Sequence, residues 1–506
     1  MARHPFFSRR RAGALAHVSS LPSSHGIGDF GPKAREFVRF LADAGFGLWQ
    51  ILPLNPVNPG AGNSPYSSFS AFANNPLFVS PDDLVRDGIL SVGDLRGERP
   101  CGGSRIDYGH VHAWKSSLLK LAFANVLPSL ESESRFDAYR RENASWLDDF
   151  ALFAALKEAH GGRSWLEWPA EIRDRCSKSL ELWRERLALR VLFHMFAQFL
   201  ADEQWRSLLE HCRAHGVSVL GDMPIYVSLD SADVWAHPLQ FELNGELRPI
   251  RVAGAPPDYF SEKGQLWGNP LYDWSAMAKD GFSWWKARIV RNSGLYNLVR
   301  IDHFRGLAGY WAVPAGARDA RGGEWLSGPG HEFLEAIGEA APELAIVAED
   351  LGEITPDVIE LRDTFALPGM RVLHFAFSGD PVENPHIPHN HDRHSVVYTG
   401  THDNTTSKDW FERELDHASR RRIRNYVGRT VEAKTVAREL CRLAMASCAA
   451  ICVLPVQDLL NLGSEGRMNT PALADGNWTW RFGSGDLGQE TAAEFRDLAG
   501  VFGRLP

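Results

Sequence analysis

No apolar run in this 506-residue sequence approaches the about 20 residues that cross a bilayer. The first thirty residues carry charge at the start but no apolar core followed by a small-residue cleavage site. Neither a membrane partner nor export is therefore expected, and the cytoplasm is the expected compartment. Cysteine is scarce: six residues, at 101, 176, 212, 441, 448 and 452, with no C-x-x-C pair. That argues against a disulfide framework and leaves reduced, mostly buried thiols as the expectation. An excess of positive charge is also missing, since 54 Lys+Arg stand against 63 Asp+Glu for a formal net charge of -9. No nucleic-acid partner is implied. Basic runs at Arg9-Arg10-Arg11 and at Arg420, Arg421, Arg422 and Arg424 are local, and the second falls in a helix-like segment that reads as a solvated face. The Gly/Pro-rich run 322–330 lacks the Gly-Lys-Ser/Thr ending of a phosphate loop and is expected to open a helix from His331. His386, His389, His391 and His394 crowd one loop, but their spacing fits no zinc pattern, and Pro385 and Pro388 point to irregular surface structure. No metal and no cofactor is expected.

What the sequence does contain is a set of short apolar runs that end in charge. The clearest is Leu298-Val299-Arg300-Ile301-Asp302-His303-Phe304-Arg305-Gly306, which reads as a buried strand delivering polar side chains at its carboxyl end. Alternation along a strand puts Arg300 and Asp302 on one face. A guanidinium beside a carboxylate keeps it ionised, which is what a carboxylate nucleophile needs. A structural Arg–Asp pair at a strand end fits the same residues equally well.

Runs of the same kind occur at 14–18, 47–54, 217–227, 298–301, 344–348, 371–377, 395–398 and 449–455. A helix is expected across 33–44, and long helical patterns near 111–127, 135–158 and 180–215 make the stretch from about 55 to 215 an insertion, largely helical. At this length one elaborated domain and two or three separate ones both remain open. Eight strands alternating with helices point to a closed parallel (β/α)8 barrel, whose site lies at the carboxyl ends of the strands. Candidates there are Asp222 after the third run, Arg300 and Asp302 after the fourth, Glu349 and Asp350 after the fifth, and His402 and Asp403 after the seventh. Consecutive residues cannot both face the barrel mouth, so Asp350 is expected to be a helix cap or turn former.

Several blocks carry a resemblance. They are Gly26-Ile27-Gly28-Asp29-Phe30-Gly31, Ser64-Pro65-Tyr66-Ser67-Ser68-Phe69-Ser70-Ala71-Phe72, Gly221-Asp222-Met223-Pro224-Ile225-Tyr226-Val227, Asp230-Ser231-Ala232-Asp233-Val234-Trp235, Pro256-Pro257-Asp258-Tyr259-Phe260-Ser261, Gly264-Gln265-Leu266-Trp267-Gly268-Asn269-Pro270, the stretch 298–306, Ala348-Glu349-Asp350-Leu351-Gly352 and Thr399-Gly400-Thr401-His402-Asp403-Asn404. In this order, over nearly the whole chain, they resemble glycoside hydrolase family 77, the amylomaltases or 4-α-glucanotransferases. The resemblance implies a TIM barrel related to that of the α-amylases, one catalytic domain over 1–506 with insertion subdomains at about 55–215 and about 228–297, and no C-terminal sandwich domain. It implies Asp302 as nucleophile, Glu349 as general acid/base and Asp403 as transition-state stabiliser. Arg300 would pair with the nucleophile, His402 would contact the donor sugar with Asp222 near that subsite, and Tyr66 would border the cleaved sugar. Tyr259 and Phe260 would form a lid over the acceptor side, and Trp267 a platform for glucosyl rings. One departure stands out: after Asn404 the family commonly continues Asp-Thr, whereas this chain has Thr405-Thr406. The short amino-terminal portion makes branched polysaccharide acceptors less expected.

The chemistry asks for the same residue types. Retaining transfer needs one ionised carboxylate to attack the anomeric carbon and one protonated acid to release the leaving sugar. Asp302 beside Arg300 suits the first role and Glu349, near two carboxylates, the second. The expected substrates are α-1,4-glucans and maltooligosaccharides, handled by a monomer or weak homo-oligomer. Two other readings stay open: an α-glucan hydrolase of the same mechanism, in which water wins over the acceptor, and a catalytically silent glucan-binding protein.

Overall fold

The computed structural model describes residues 3–96, 99–100, 103–130, 133–257, 261–471, 473 and 475–506. All eight apolar runs are strands: β1 (Arg11–Leu15), β2 (Leu48–Gln50), β3 (Ser218–Pro224), β4 (Leu298–Asp302), β5 (Ala345–Ala348), β6 (Gly369–Val372), β7 (Ser395–Tyr398) and β8 (Ile451–Pro455). They form one parallel sheet in the order β6-β7-β8-β1-β2-β3-β4-β5. This is the (β/α)8 barrel. Its strands read as continuous apolar runs because helices cover the outer face while side chains fill the interior. The first helix, Pro32–Asp43, begins with Pro at its first turn and buries Ala34, Phe37, Val38 and Leu41, the three-and-four spacing that faces it to the barrel.

Register positions the chemistry. Between β3 and β4 the parallel pairing sets Asp222 against Arg300 and Pro224 against Asp302. Arg300 is in turn beside Val347, and Ile301 beside Ala348, the residue before Glu349.

Closure between β5 and β6 uses a side chain where the ladder stops. Ala348 N donates to Pro368 O at 2.9 Å, and Met370 N donates to Asp350 Oδ1 at 2.6 Å. The other oxygen of Asp350 takes Arg362 Nη1 at 2.5 Å, with Arg371 Nη1 3.7 Å away. Asp350 is therefore a seam residue and not the expected cap; the next helix, Pro356–Thr364, starts after Thr355. Gly369 is required beside it, because a Cβ there would fall 2.2 Å from Asp350 Oδ2. Replacing Asp350 with Ala would leave Met370 N and Arg362 Nη1 without their carboxylate at a buried seam. Urea unfolding of Asp350→Ala is expected to show a loss of about 3–5 kcal/mol, and an unmoved midpoint would mean the seam closes without it.

The insertion between β2 and β3 is helical, as expected, but its patterns are divided. The 135–158 pattern is two helices, Ser134–Glu142 and Ala144–Ala159, broken at Asn143, and the 180–215 pattern is Ser177–Arg186 and Ala188–Ala214, broken at Leu187. The region after β3 carries strands as well as helices. Strands Arg251–Ala255 and Gln265–Pro270 join Gly309–Pro314 and Glu324–Ser327 in an antiparallel four-stranded sheet. The 322–330 run accordingly holds a strand before the helix Gly330–Ala340 begins.

The arginines of the helix His417–Val427 form the expected solvated face, with Arg421, Arg422 and Arg424 exposed and Arg420 half-buried; Arg420 also donates to Glu412 O at 2.7 Å and Arg422 to Phe377 O at 3.0 Å. Among the described cysteines Cys212, Cys441 and Cys452 are buried, and Cys176 and Cys448 are exposed. No described helix is long and apolar enough to cross a membrane. The four loop histidines each bond a separate group: Val372 N for His386, Tyr426 OH for His389, Ser447 Oγ for His391 and Ala366 O for His394.

Candidate active site

Arg300 is the centre of the cluster at the carboxyl ends of the strands. Its Nε and Nη2 make a fork with Asp222, 3.0 Å to Oδ1 and 2.9 Å to Oδ2. The same Nη2 donates to Asp302 Oδ1 at 2.7 Å and lies 3.4 Å from Tyr66 OH. One buried guanidinium thus serves two carboxylates, and the bidentate side is the geometry that only arginine offers. Burial opposes its charge, but Asp222 and Asp302 outweigh that and hold Arg300 protonated. Asp222 can lie this deep because Gly221 leaves room for the Tyr296 ring, against which a Cβ would fall at 2.3 Å.

The loop 64–72 brings Tyr66 onto this pair from outside the barrel. Tyr66 OH donates to Asp222 Oδ2 at 2.6 Å and meets His402 Nε2 at 2.8 Å. Since the hydroxyl hydrogen is committed to Asp222, His402 must carry its proton on Nε2 and donate it. The two rings stack, with centroids 5.3 Å apart and planes 12° from parallel. Burial lowers the His402 pKa, against the pull of Asp403, and leaves the ring neutral.

Asp302 ends β4 and its side chain remains 29% exposed, facing the mouth. The chain then turns sharply, with His303 in the left-handed region at φ 55°, a conformation that a non-glycine residue holds only where its surroundings enforce it. Here they do: His303 N donates to Glu349 Oε2 at 2.7 Å and Phe304 N to Glu349 O at 3.2 Å. Glu349 Oε1 accepts from Leu351 N at 2.9 Å. The strained turn therefore ties the residue after Asp302 to the Glu349 carboxyl.

Burial pushes both carboxyls up. Asp302 is raised to about 8, against Arg300 and with Asp222, Glu349 and Asp403 adding to the rise. Glu349 is raised for the same reason, with Arg300 and its two backbone donors opposing. Burial thus holds protons on the Asp302–Glu349 pair past the ordinary carboxylate range, and they leave in steps that belong to the pair and not to either residue.

Asp403 is more open, its side chain 48% exposed, and lies 3.3 Å from His402 Nε2. Its Oδ1 accepts from Asn469 Nδ2 at 2.7 Å. Trp267 is on the strand Gln265–Pro270 and is 37% exposed. Its ring meets His303 edge-on at 4.8 Å, next to the Asp302 turn. Tyr259 and Phe260 lie outside the described residues.

The structure thus brings together Tyr66, Asp222, Arg300, Asp302, Glu349, His402 and Asp403, with Trp267 at the side. Sequence reasoning missed Asn469 and also Trp478, whose ring is 5.7 Å from Tyr66 and 6.0 Å from His402. Both follow β8, one of the four strands after which no candidate was expected. Thr405 donates to Asp409 Oδ2 at 2.7 Å, and Arg413 reaches Asp409 Oδ1 at 3.0 Å. Thr405 is thus paired with a carboxylate four residues later. Among the described residues no group of three or more His, Cys, Asp and Glu could hold a metal.

Comparison with known proteins agrees with this geometry. The family model of glycoside hydrolase family 77, 4-alpha-glucanotransferase, matches residues 16–485. The 4-alpha-glucanotransferase of Thermus thermophilus is 46% identical over 503 residues, covering 98% of this chain and 99% of that protein. The chloroplastic/amyloplastic 4-alpha-glucanotransferase of Solanum tuberosum is 44% identical over 98% of this chain and 87% of its own. The amylomaltase from Streptococcus agalactiae in complex with acarbose superposes with a TM-score of 0.93 at 34% identity, covering 98% of this chain and all of that one. The chain belongs to glycoside hydrolase family 77, the 4-α-glucanotransferases, enzymes that transfer glucan segments.

Proposed function

We propose that the transfer is a retaining, two-step reaction on maltooligosaccharides and linear α-1,4-glucans, with Asp302 as nucleophile, Glu349 as general acid/base and Asp403 as stabiliser of the developing positive charge. The observation that carries this is the geometry at the end of β4, where Arg300 Nη2 holds Asp302 at 2.7 Å and the turn at His303 ties the Glu349 carboxyl beside it. Arg300 draws the negative charge to Asp302, so a proton rests on Glu349. The pair is then in the state that attack and leaving-group protonation require.

In the first step Asp302 bonds the anomeric carbon while the glycosidic C–O bond breaks and Glu349 gives its proton to the leaving oxygen. In the second, Glu349 takes the proton of an acceptor 4-hydroxyl, which displaces Asp302 and restores the α linkage. Asp403 opposes the charge on the ring in both transition states. Tyr66, Asp222 and His402 are proposed to line the donor sugar, and Arg300 to orient Asp302. Trp267, with Tyr259 and Phe260, is proposed to hold the acceptor and so exclude water. Trp267→Ala is expected to raise the acceptor KM about tenfold, the scale of one aromatic stacking contact, with little change in donor hydrolysis; an unchanged KM would remove Trp267 from the acceptor side.

The test is incubation of the pure protein with maltotriose alone. A ladder of longer maltooligosaccharides with free glucose supports transfer, and shorter sugars only would support the hydrolase. We also read the chain as one catalytic barrel domain with subdomains inserted at about 55–215 and about 228–297. The cytoplasm is the compartment in keeping with its free, mostly buried thiols among the described residues, and light scattering would distinguish a monomer from a weak homo-oligomer.

A further inference from the structure

Asp458 takes part in none of these steps, yet it stands where the seventh loop is anchored. It lies in the helical turn Val456–Leu459 just after β8, and its side chain is 2% exposed. Its three partners are neutral donors. Thr399 Oγ1 donates to Oδ2 at 2.5 Å, Ser407 Oγ to the same oxygen at 2.6 Å, and Ser407 N to Oδ1 at 3.0 Å. Thr399 follows β7 directly, and Ser407 opens the helical turn Ser407–Asp409. One carboxylate thus ties both ends of the segment 400–406, which carries His402 and Asp403.

A second contact fixes the floor of the same loop. His374 Nε2 lies 3.0 Å from Ser407 Oγ. Because the serine hydrogen goes to Asp458, the imidazole must donate, and its Nδ1 is left bare and buried. Burial pushes His374 down to about 3, so the ring is neutral. It lies flat on Trp410, centroids 4.6 Å apart and planes at 8°, and it fills the space beside Gly400, where a Cβ would fall 2.7 Å from His374 Cε1. Ser407 is fully buried and its hydroxyl points to the carboxylate, so these residues make a brace and not a nucleophile. Asp403, half exposed at the tip, is held by Asn469 and His402 through its side chain and by Thr401 Oγ1, which accepts from its backbone N at 3.3 Å.

We propose that Asp458 is a positioning residue for the transfer reaction: by accepting hydrogen bonds from both ends of 399–407 it sets the loop that presents Asp403 to the reacting sugar. The proposal rests on Asp403 being the charge stabiliser. Hydrogen bonds to a buried carboxylate are strong and short, which gives this one residue enough hold to set a loop of that length.

Asp458→Ala is expected to lower kcat on maltotriose about 100-fold while KM stays within about threefold, since an interaction made mainly in the transition state is lost. Ser407→Ala and Thr399→Val, each freeing part of the clamp, are expected to cost about five- to tenfold. The deciding measurement is a double-mutant cycle with Asp403→Asn, read with a glycosyl fluoride donor so that slow variants stay measurable. In the Asp403→Asn background, Asp458→Ala is expected to cost less than twofold more. If Asp403→Asn is slow and the two losses multiply, the clamp acts elsewhere and the proposal falls alone. If Asp403→Asn is as fast as the parent, the stabiliser reading falls and takes the proposal with it. Should far-UV circular dichroism show Asp458→Ala unfolded, the same cycle is run with Ser407→Ala, and the same two outcomes decide.

Discussion

Asp302→Asn is expected to lower kcat on maltotriose by at least about 10,000-fold without loss of the fold. An amide cannot form the glycosyl ester, and no other carboxylate among the described residues is held both against Arg300 and facing the mouth. The fold is expected to survive because Arg300 keeps its two-bonded fork to Asp222, and Tyr66 and His402 keep their bonds to that side of the cluster. Thermal unfolding close to the parent's, with KM within a few-fold, would place the loss in the chemical step. A loss of tenfold or less would mean that Asp302 is only one half of a structural ion pair, the alternative that its sequence context left open.

Glu349→Gln should separate the two halves of the reaction. With maltotriose, whose leaving group needs a proton, the rate is expected to fall about 1,000- to 10,000-fold, the upper range for general acid catalysis. With a glycosyl fluoride the first step needs no proton, so formation of the glycosyl-enzyme is expected to stay within about tenfold of the parent. The second step still lacks its base, and the intermediate should accumulate. The pH profile carries the same signature. Glu349 is raised by burial, so in the parent its proton is retained above the ordinary carboxylate range, and activity declines only as pH climbs through that raised value. The acidic limb reports the first ionisation of the Asp302–Glu349 pair, whose charge Arg300 draws to Asp302. In Glu349→Gln the alkaline limb is expected to vanish, because no proton remains there to lose.

The barrel was legible because parallel strands buried on both sides have no polar positions to hide their ends. β7 matches its apolar run residue for residue, whereas the runs at 14–18, 47–54, 217–227 and 371–377 continue three to five residues past their strands. The alternation that put Arg300 and Asp302 on one face holds, and Glu349 follows β5 as expected. What the sequence concealed depends on contacts distant along the chain. The four-stranded sheet was invisible because Gln265–Pro270 is largely exposed and carries Gly, Asn and Pro, so neither alternation nor an apolar run marks it. Asp350 reads as a local turn former, and only the gap between β5 and β6 makes it a seam. Asn469 reaches Asp403 across 66 residues, and Asp458 reaches Ser407 across 51. Neither distance leaves a spacing that a linear reading can use. The break at Asn143 was hidden for the opposite reason: the helices on either side keep one apolar rhythm through it.

The most direct measurement is to mix Glu349→Gln with a glycosyl fluoride donor, quench in acid and map the labelled peptide by mass spectrometry. The expected result is one glycosyl unit esterified to Asp302, released when an added small anion such as azide takes the place of the missing base. A label on Asp403, or no adduct under conditions where fluoride is released, would contradict the proposed nucleophile and the two-step course built on it.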